Sequence, residues 1–296
     1  VPKENIVFVA GIGCSSRVPY YVDTYGYHTI HGRAPAIATG IKIANPDLKV
    51  FVMTGDGDGL SIGGNHFIHL CRRNVDITVV LFNNEIYGLT KGQYSPTSVK
   101  GQKTKSSPYG TIERPFNPVN LALAAGATFV ARSIDREPKH LAHILKRAAD
   151  HKGTSFVEVL QNCVIFNDGA FNDLTDKKVK KDNILMLTEN EPFHYGMEDD
   201  KLLNWNGYKF ETVKRDDVDI EKVMRYQERS GNASVEFALS NLNMEPGMPT
   251  PIGVFRHQHI PAYEDLLVQQ IEEVRKQKGE GSLDDLLNAG NTFMVE

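Results

Sequence analysis

Two short apolar runs, residues 50–53 (Val-Phe-Val-Met) and 77–82 (Ile-Thr-Val-Val-Leu-Phe), stop at small polar words, the first at Gly55-Asp56-Gly57-Asp58 and the second at Asn83-Asn84. Runs of this length and composition read as buried strands. Between Gly57 and Asn84 lie 26 residues, enough for one helix and one strand, which is the content of a parallel crossover. A crossover of that kind sends both strands in the same direction, so the two polar words emerge at one edge of a sheet. An α/β fold with a polar carboxyl-end edge follows from this spacing.

The rest of the first half keeps the alternation. The pattern predicts strands over 6–10, 49–53, 77–82, 128–131 and 155–160, and helices over 34–44, 60–73, 118–125 and 138–151. Helices between strands imply a parallel sheet flanked by helices. Residues 91–118 form a polar loop with Gly, Pro, Lys91, Lys100, Lys103 and Lys105, and a loop of that length in a compact domain is functional or mobile. After residue 172 the character changes. Residues 173–219 mix charges and short apolar patches without a period, and read as a wrap over the core or a partner surface. A helix is expected over 262–278 and a short one over 282–288 with Ser282 as its cap. The organisation is therefore an α/β domain over 1–172 and an α-rich C-terminal extension over 173–296 that serves as a subunit-interface segment. No internal repeat occurs.

The 296 residues suffice for a large core. A net charge of -4 with mixed signs argues against general nucleic-acid affinity. No apolar run is long enough to cross a bilayer. Cysteines 14, 71 and 163 are too few and too scattered for a disulfide framework, which fits a reducing cytoplasm. Asn232-Ala233-Ser234 matches a glycosylation sequon and reads as chance.

The polar edge has the chemistry of a metal-diphosphate site. Glycines admit close approach of backbone N–H groups to phosphate oxygens, and a helix starting near Leu60 points its positive end at that charge. Asp56 offers a hard oxygen, Asn84 a carboxamide oxygen and Ile86 a backbone carbonyl, leaving octahedral positions of Mg²⁺ for two phosphate oxygens and water. The alternative is a plain turn, which Gly-Asp-Gly is in most chains; the paired asparagines in register favour the metal site.

Gly-Asp-Gly followed at this distance by Asn-Asn resembles the thiamine-diphosphate signature. Further words narrow the resemblance: Gly11-Ile12-Gly13-Cys14-Ser15, His28-Thr29-Ile30-His31-Gly32-Arg33-Ala34, residues 83–97 from Asn83-Asn84-Glu85-Ile86-Tyr87-Gly88 to Ser95-Pro96-Thr97, and Leu160-Gln161-Asn162-Cys163. From about residue 6 to about residue 168 the chain resembles the β subunit of a two-subunit 2-oxoacid:ferredoxin oxidoreductase. Residues 251–256, Pro-Ile-Gly-Val-Phe-Arg, resemble the C-terminal docking segment of the same subunits.

The resemblance implies oxidative decarboxylation, in which a 2-oxoacid, coenzyme A and oxidised ferredoxin give acyl-coenzyme A, CO₂ and reduced ferredoxin. It also implies that thiamine diphosphate and Mg²⁺ are held with an α subunit, which supplies the activating glutamate at an interface active site, commonly in an α₂β₂ assembly. In such subunits four cysteines hold a [4Fe-4S] cluster. Cys14 and Cys163 match two of them, and the Cys-x-x-Cys that supplies the other two is absent from this chain. Because the sequence opens on Val1 close to a core strand, that pair is expected on a preceding segment. For any free cysteine the plain alternative is a buried thiol, and that reading is adopted for Cys71.

Matching words assign Asp56, Asn84 and Ile86 to Mg²⁺, and Ile12, Gly13, Cys14, Ser15, His31, Gly57, Asp58, Gly88 and Leu89 to cofactor contacts. His31 reads equally as a packed histidine fixing the Gly32-Arg33 turn. Arg17 and Lys91 are candidates for the substrate's carboxylates, with a salt bridge to the α subunit as the alternative for Arg17. Asp23, His28 and His66 read as structural. A cationic Arg17 favours a dicarboxylate, so the expected substrate is 2-oxoglutarate, giving succinyl-coenzyme A, with pyruvate or a broad range of 2-oxoacids as the alternative. A non-oxidative thiamine-dependent decarboxylase shares the metal words and has no use for cluster thiolates. A catalytically silent scaffold is disfavoured by the intact ligand set.

Overall fold

The computed structural model describes residues 1–291, 293 and 295. In chain order the first half holds β1 (Ile6–Ala10), β2 (Tyr25–His28), α1 (Ala34–Ala44), β3 (Lys49–Gly55), α2 (Asp56–Leu60), α3 (Gly64–Arg73), β4 (Ile77–Asn83), α4 (Pro118–Ala124), β5 (Phe129–Ile134), α5 (Pro138–Asp150) and β6 (Ser155–Leu160). The second half adds α6 (Asn172–Thr175), α7 (Lys180–Asn183), β7 (Ile184–Met186), β8 (His194–Tyr195), β9 (Lys201–Trp205), β10 (Phe210–Lys214), α8 (Ala233–Asn241), β11 (Thr250–His257), α9 (Tyr263–Lys278) and α10 (Leu283–Leu287).

Eight strands form one sheet in the order β2-β1-β3-β4-β6-β5-β11-β7. The pairs from β2 to β5 are parallel, and only β11 against β5 is antiparallel. Residues along β4 alternate between the sheet faces: Val79 and Leu81 pack with Ala38 of α1, Phe67 of α3 and Ala122 of α4, whereas Val80 packs with Ile144 and Ala148 of α5. Burial on both faces explains why β4 and β6 read as mostly apolar runs rather than as alternating ones. Helix starts follow local chemistry: Asn117 accepts from the Asn120 N–H with Pro118 next to it at the first turn of α4, and Pro138 opens α5.

The alternation expected from sequence is present, with informative departures. The expected helix over 60–73 is two helices. The chain becomes helical at Asp56 itself, breaks after Leu60 and resumes at Gly64. Strand β2 lacked a sequence signal because all four of its residues are exposed on the sheet edge. The stretch over 173–219, which showed no period, contains a short antiparallel sheet, β10-β9-β8. Residues 251–256, read as a docking segment, lie instead inside β11 between β5 and β7, and all six are buried. Backbone pairing on both sides and an ion pair from Arg256 to Glu236 of α8 hold them there. The C-terminal stretch thus completes the main sheet as well as extending beyond it. No helix among the described residues is long and apolar enough to cross a membrane.

Candidate active site at the carboxyl edge of the sheet

Register brings the predicted words together. Gly55 pairs with Phe82 across β3 and β4, and Asn83 pairs with Leu160 across β4 and β6. Their following loops, with the turn after β1, enclose a cleft of about 490 Å³ including its mouth. It opens beside the point where β1 and β3 send the chain to opposite sides, the position at which open α/β sheets bind ligands. Ile12, Gly13, Cys14, Ser15, His31, Asp56, Gly57, Asp58, Asn84, Ile86, Gly88 and Leu89 all line it.

Three oxygens converge at its floor. Asn84 points its carboxamide oxygen at Asp56 Oδ1, 3.3 Å away, and at the Ile86 carbonyl, 2.7 Å away. Three acceptors with no proton among them repel one another unless a cation joins them or the amide turns over to donate. Adjacent ligands of octahedral Mg²⁺, each at about 2.0–2.1 Å, stand about 3 Å apart, so the spacing fits this ion. Asp56 is buried, and among the described residues no basic side chain pairs with it. Burial pushes its carboxyl above the usual range, the hydroxyls of Ser95 and Thr97 opposing the shift. Glu85, with φ of 57° at the turn that presents the Ile86 carbonyl, is pushed up to about 8 by burial and then by Asp56 and Glu158. This crowding of carboxyl groups is of the kind a divalent cation would relieve.

Ser95 and Thr97 orient the floor. Both hydroxyls reach Asp56 Oδ2, at 2.5 and 2.7 Å, and leave Oδ1 for the cleft. These residues sit in the long polar loop, where no local pattern marks them, because the contact to Asp56 spans about 40 residues.

Asp58 faces inward. Its carboxylate accepts from the N–H groups of Ile12 at 3.0 Å and Gly32 at 2.7 Å and from the Thr54 hydroxyl at 2.7 Å. One carboxylate thereby joins three loops around the cleft. His31 Nδ1 comes within 2.9 Å of Asp58 Oδ1 without hydrogen-bond alignment, and the ring sits edge-on to Tyr87 with centroids 6.2 Å apart. Gly57 lies under Tyr87, where an added Cβ would fall 2.3 Å from the ring, and the Tyr87 hydroxyl donates to the Gly57 carbonyl at 2.9 Å. Tyr87, Thr90 and Gln161, which no sequence pattern singles out, also line the cleft.

Two thiols meet beside Gly88. A Cβ built on Gly88 would lie 3.3 Å from Cys14 Sγ and 3.6 Å from Cys163 Sγ. Both cysteines are free, and burial, then the neighbouring Cys163, push the Cys14 thiol up. Two unlinked thiols on one side of the cleft have the donor chemistry of a soft metal site. Cys71 is buried in α3, away from this pair, and burial pushes its thiol strongly up.

Arg17 and Lys91 stand outside the cleft lining. Arg17 lies over the Tyr20 ring at 5.3 Å, and Lys91 occupies an exposed turn with φ of 76°. Ile12, Leu89, Val164 and Ile165 are exposed apolar side chains around the β1, β4 and β6 loops, as are Tyr20, Tyr21, Tyr25 and Tyr27 on the adjoining edge.

Comparison with known proteins bears on this geometry. The family model for the thiamine pyrophosphate enzyme, C-terminal TPP binding domain, matches residues 11–159. The 2-oxoglutarate oxidoreductase subunit KorB of Mycobacterium tuberculosis is 47% identical over 296 residues, covering 99% of this chain and 79% of that protein. The 2-oxoglutarate synthase subunit KorB of Archaeoglobus fulgidus is 43% identical over 78% of this chain and 84% of its own length. Among solved structures, a 2-oxoglutarate:ferredoxin oxidoreductase from Magnetococcus marinus, with 2-oxoglutarate, coenzyme A and succinyl-CoA bound, superposes with a TM-score of 0.75 at 33% identity, over 98% of this chain and 84% of its counterpart.

Proposed function

This chain belongs to the thiamine-pyrophosphate-binding β subunits of 2-oxoacid:ferredoxin oxidoreductases, and we propose that with an α subunit it oxidatively decarboxylates 2-oxoglutarate to succinyl-coenzyme A. The balanced reaction joins one 2-oxoacid, one coenzyme A and two oxidised ferredoxins, and releases the acyl thioester, CO₂, two reduced ferredoxins and a proton. The observation that carries the site assignment is the convergence of Asp56 Oδ1, Asn84 and the Ile86 carbonyl at the cleft floor.

Asp56, Asn84 and Ile86 would hold Mg²⁺, with Ser95 and Thr97 fixing the Asp56 carboxylate. Ile12, Gly13, Ser15, His31, Gly57, Gly88 and Leu89 would line the diphosphate and ring portions of thiamine diphosphate, while Asp58 positions the loops that carry them. Thiamine diphosphate, when bound, supplies the carbon nucleophile and electron sink that 2-oxoacid decarboxylation requires. Cys14 and Cys163 would hold two corners of a [4Fe-4S] cluster, a one-electron carrier, with two further thiolates from outside these 296 residues. The exposed apolar rim and tyrosine edge fit coverage by the α subunit, which brings the activating glutamate. The extension over 173–296 contributes further to that interface, in an α₂β₂ assembly working in the cytoplasm. Arg17, exposed three residues beyond Cys14, and Lys91 would steer the dicarboxylate from the rim.

The test is the anaerobically purified αβ complex. Iron with acid-labile sulfide, and coenzyme A-dependent reduction of ferredoxin with 2-oxoglutarate faster than with pyruvate, are expected. Faster turnover of pyruvate would move the assignment to the pyruvate or broad-range alternative. A complex without iron that still releases CO₂ would make the protein a non-oxidative decarboxylase subunit.

A further inference from the structure

Three histidines meet at the edge of the sheet opposite the cleft. His151 directly follows α5, His257 ends β11, and His259 lies two residues on. Each offers a ring nitrogen within 4.8 Å of the other two. Their ring centroids are 5.3 Å apart for His151 and His257, 5.1 Å for His257 and His259, and 5.9 Å for His151 and His259. The six residues of β6 separate this edge from the candidate active site, a span of about 20 Å.

Hydrogen bonding leaves the two inner rings with one free nitrogen each. His151 Nε2 lies 2.8 Å from Thr128 Oγ1, whose own proton goes to Asn74 Oδ1 at 2.8 Å. The Thr128 oxygen therefore accepts from Nε2–H, and Nδ1 of His151 is left as a bare lone pair. That nitrogen is buried without a partner, on a side chain only 4% exposed. His257 Nδ1 lies 3.3 Å from Glu228 Oε1 and 3.4 Å from the Arg147 guanidinium, so both contacts of this ring fall on Nδ1 and Nε2 is left free. Arg147 pairs with the same Glu228 oxygen at 2.5 Å and offsets its charge. Asn74 ties the third member in as well, since its amide donates to the carbonyls of Ile260 and Pro261, beside the exposed His259.

We propose that His151, His257 and His259 bind a transition-metal ion of the Zn²⁺ class. His151 ligates through Nδ1, His257 through Nε2, and the fourth position opens to solvent beside His259. Neutral imidazoles without carboxylate or thiolate suit Zn²⁺, Co²⁺ or Ni²⁺ and discriminate against Mg²⁺. Thr128 and Glu228 supply the outer hydrogen bonds that fix ligand tautomers in such centres. Tetrahedral nitrogen ligands stand about 3.4 Å apart, and the exposed His259 is the member that closes in. Because His151 belongs to the α/β half while His257 ends β11 and His259 follows it, the ion would tie the end of β11 to the α5–β6 turn.

The experiment uses the full chain in its complex with the α subunit, stripped with EDTA, resupplied with excess Mg²⁺ and titrated with Co²⁺, the spectrum being read as the difference from the cobalt-free complex. One equivalent is expected to bind with the visible absorption of four-coordinate cobalt and no thiolate charge-transfer band, and Zn²⁺ should displace it. His259→Ala, at an exposed position, should abolish that absorption with unchanged circular dichroism, and Glu228→Gln should weaken Co²⁺ binding about 10–100-fold. Equal cobalt absorption in the wild type and His259→Ala, a spectrum dominated by thiolate, or no uptake would overturn the proposal.

Discussion

Thr97 Oγ1 stands 2.7 Å from Asp56 Oδ2, the carboxylate oxygen turned away from Asn84. With Ser95 on the same oxygen, it decides which lone pairs of Asp56 face the cleft. Replacing Thr97 with Val keeps the volume and removes the hydroxyl. Thr97→Val is expected to weaken Mg²⁺-dependent thiamine-diphosphate binding about 10–100-fold with the fold intact, and Asp56→Ala to abolish it. Calorimetric titration of the complex checks both, and unchanged affinity in Asp56→Ala removes the floor of the site from the assignment.

The strand ends that build this floor were legible because β3, β4 and β6 are largely buried on both faces and therefore write mostly apolar runs, the buried Glu158 of β6 being paired with Arg132. Asp56, Asn84 and Ile86 follow directly from where those runs stop. What surrounds them was not legible for a physical reason. Ser95 and Thr97 reach Asp56 from a loop without periodicity, and the inward turn of Asp58 depends on donors from Ile12 and Gly32, 46 and 26 residues away. The same holds for β11, read from sequence as a docking segment, whose Arg256 is buried against Glu236 of α8. Local pattern reports burial, and partner choice across the sheet leaves no local trace.

Gly11 is set by close approach. A Cβ there would fall 2.0 Å from Asp58 Oδ2, so Gly11→Ala must displace the carboxylate that joins three loops. Loss of those buried hydrogen bonds is expected to cost about 2–4 kcal/mol. Thermal unfolding should show a lowered Tm, and weaker thiamine-diphosphate binding should accompany it. A Tm equal to that of the wild type would mean that Asp58 is not the tie described.

Arg256 and Glu236 form a buried pair, with Arg256 Nε at 2.8 Å and its NH2 group at 2.5 Å from one Glu236 oxygen. The other guanidinium nitrogen donates to the carbonyls of Leu123 and Ala127. Arg256→Met strands the Glu236 carboxylate in the interior, and about 3–5 kcal/mol of destabilisation is expected. Adding Glu236→Gln removes the stranded charge, so the double variant should be more stable than Arg256→Met alone. Denaturant unfolding of the four chains measures the coupling, and strict additivity would show that the pair does not act as one unit.

His140 sits in the first turn of α5 with Nδ1 2.8 Å from Ser133 Oγ. Burial, then His143, hold its pKa below the ordinary 6.5, against a smaller opposing effect of Glu137. The folded protein therefore binds this proton less readily than the unfolded chain does. The sign follows: stability from a neutral His140 is complete above pH 6.5 and falls as pH drops below that value, because protonation favours the unfolded state. His140→Gln retains a hydrogen-bonding side chain without the titration. Between pH 7.5 and 5 its unfolding free energy should decline less than that of the wild type, and parallel declines in denaturant melts across that range would show that His140 titrates alike in both states.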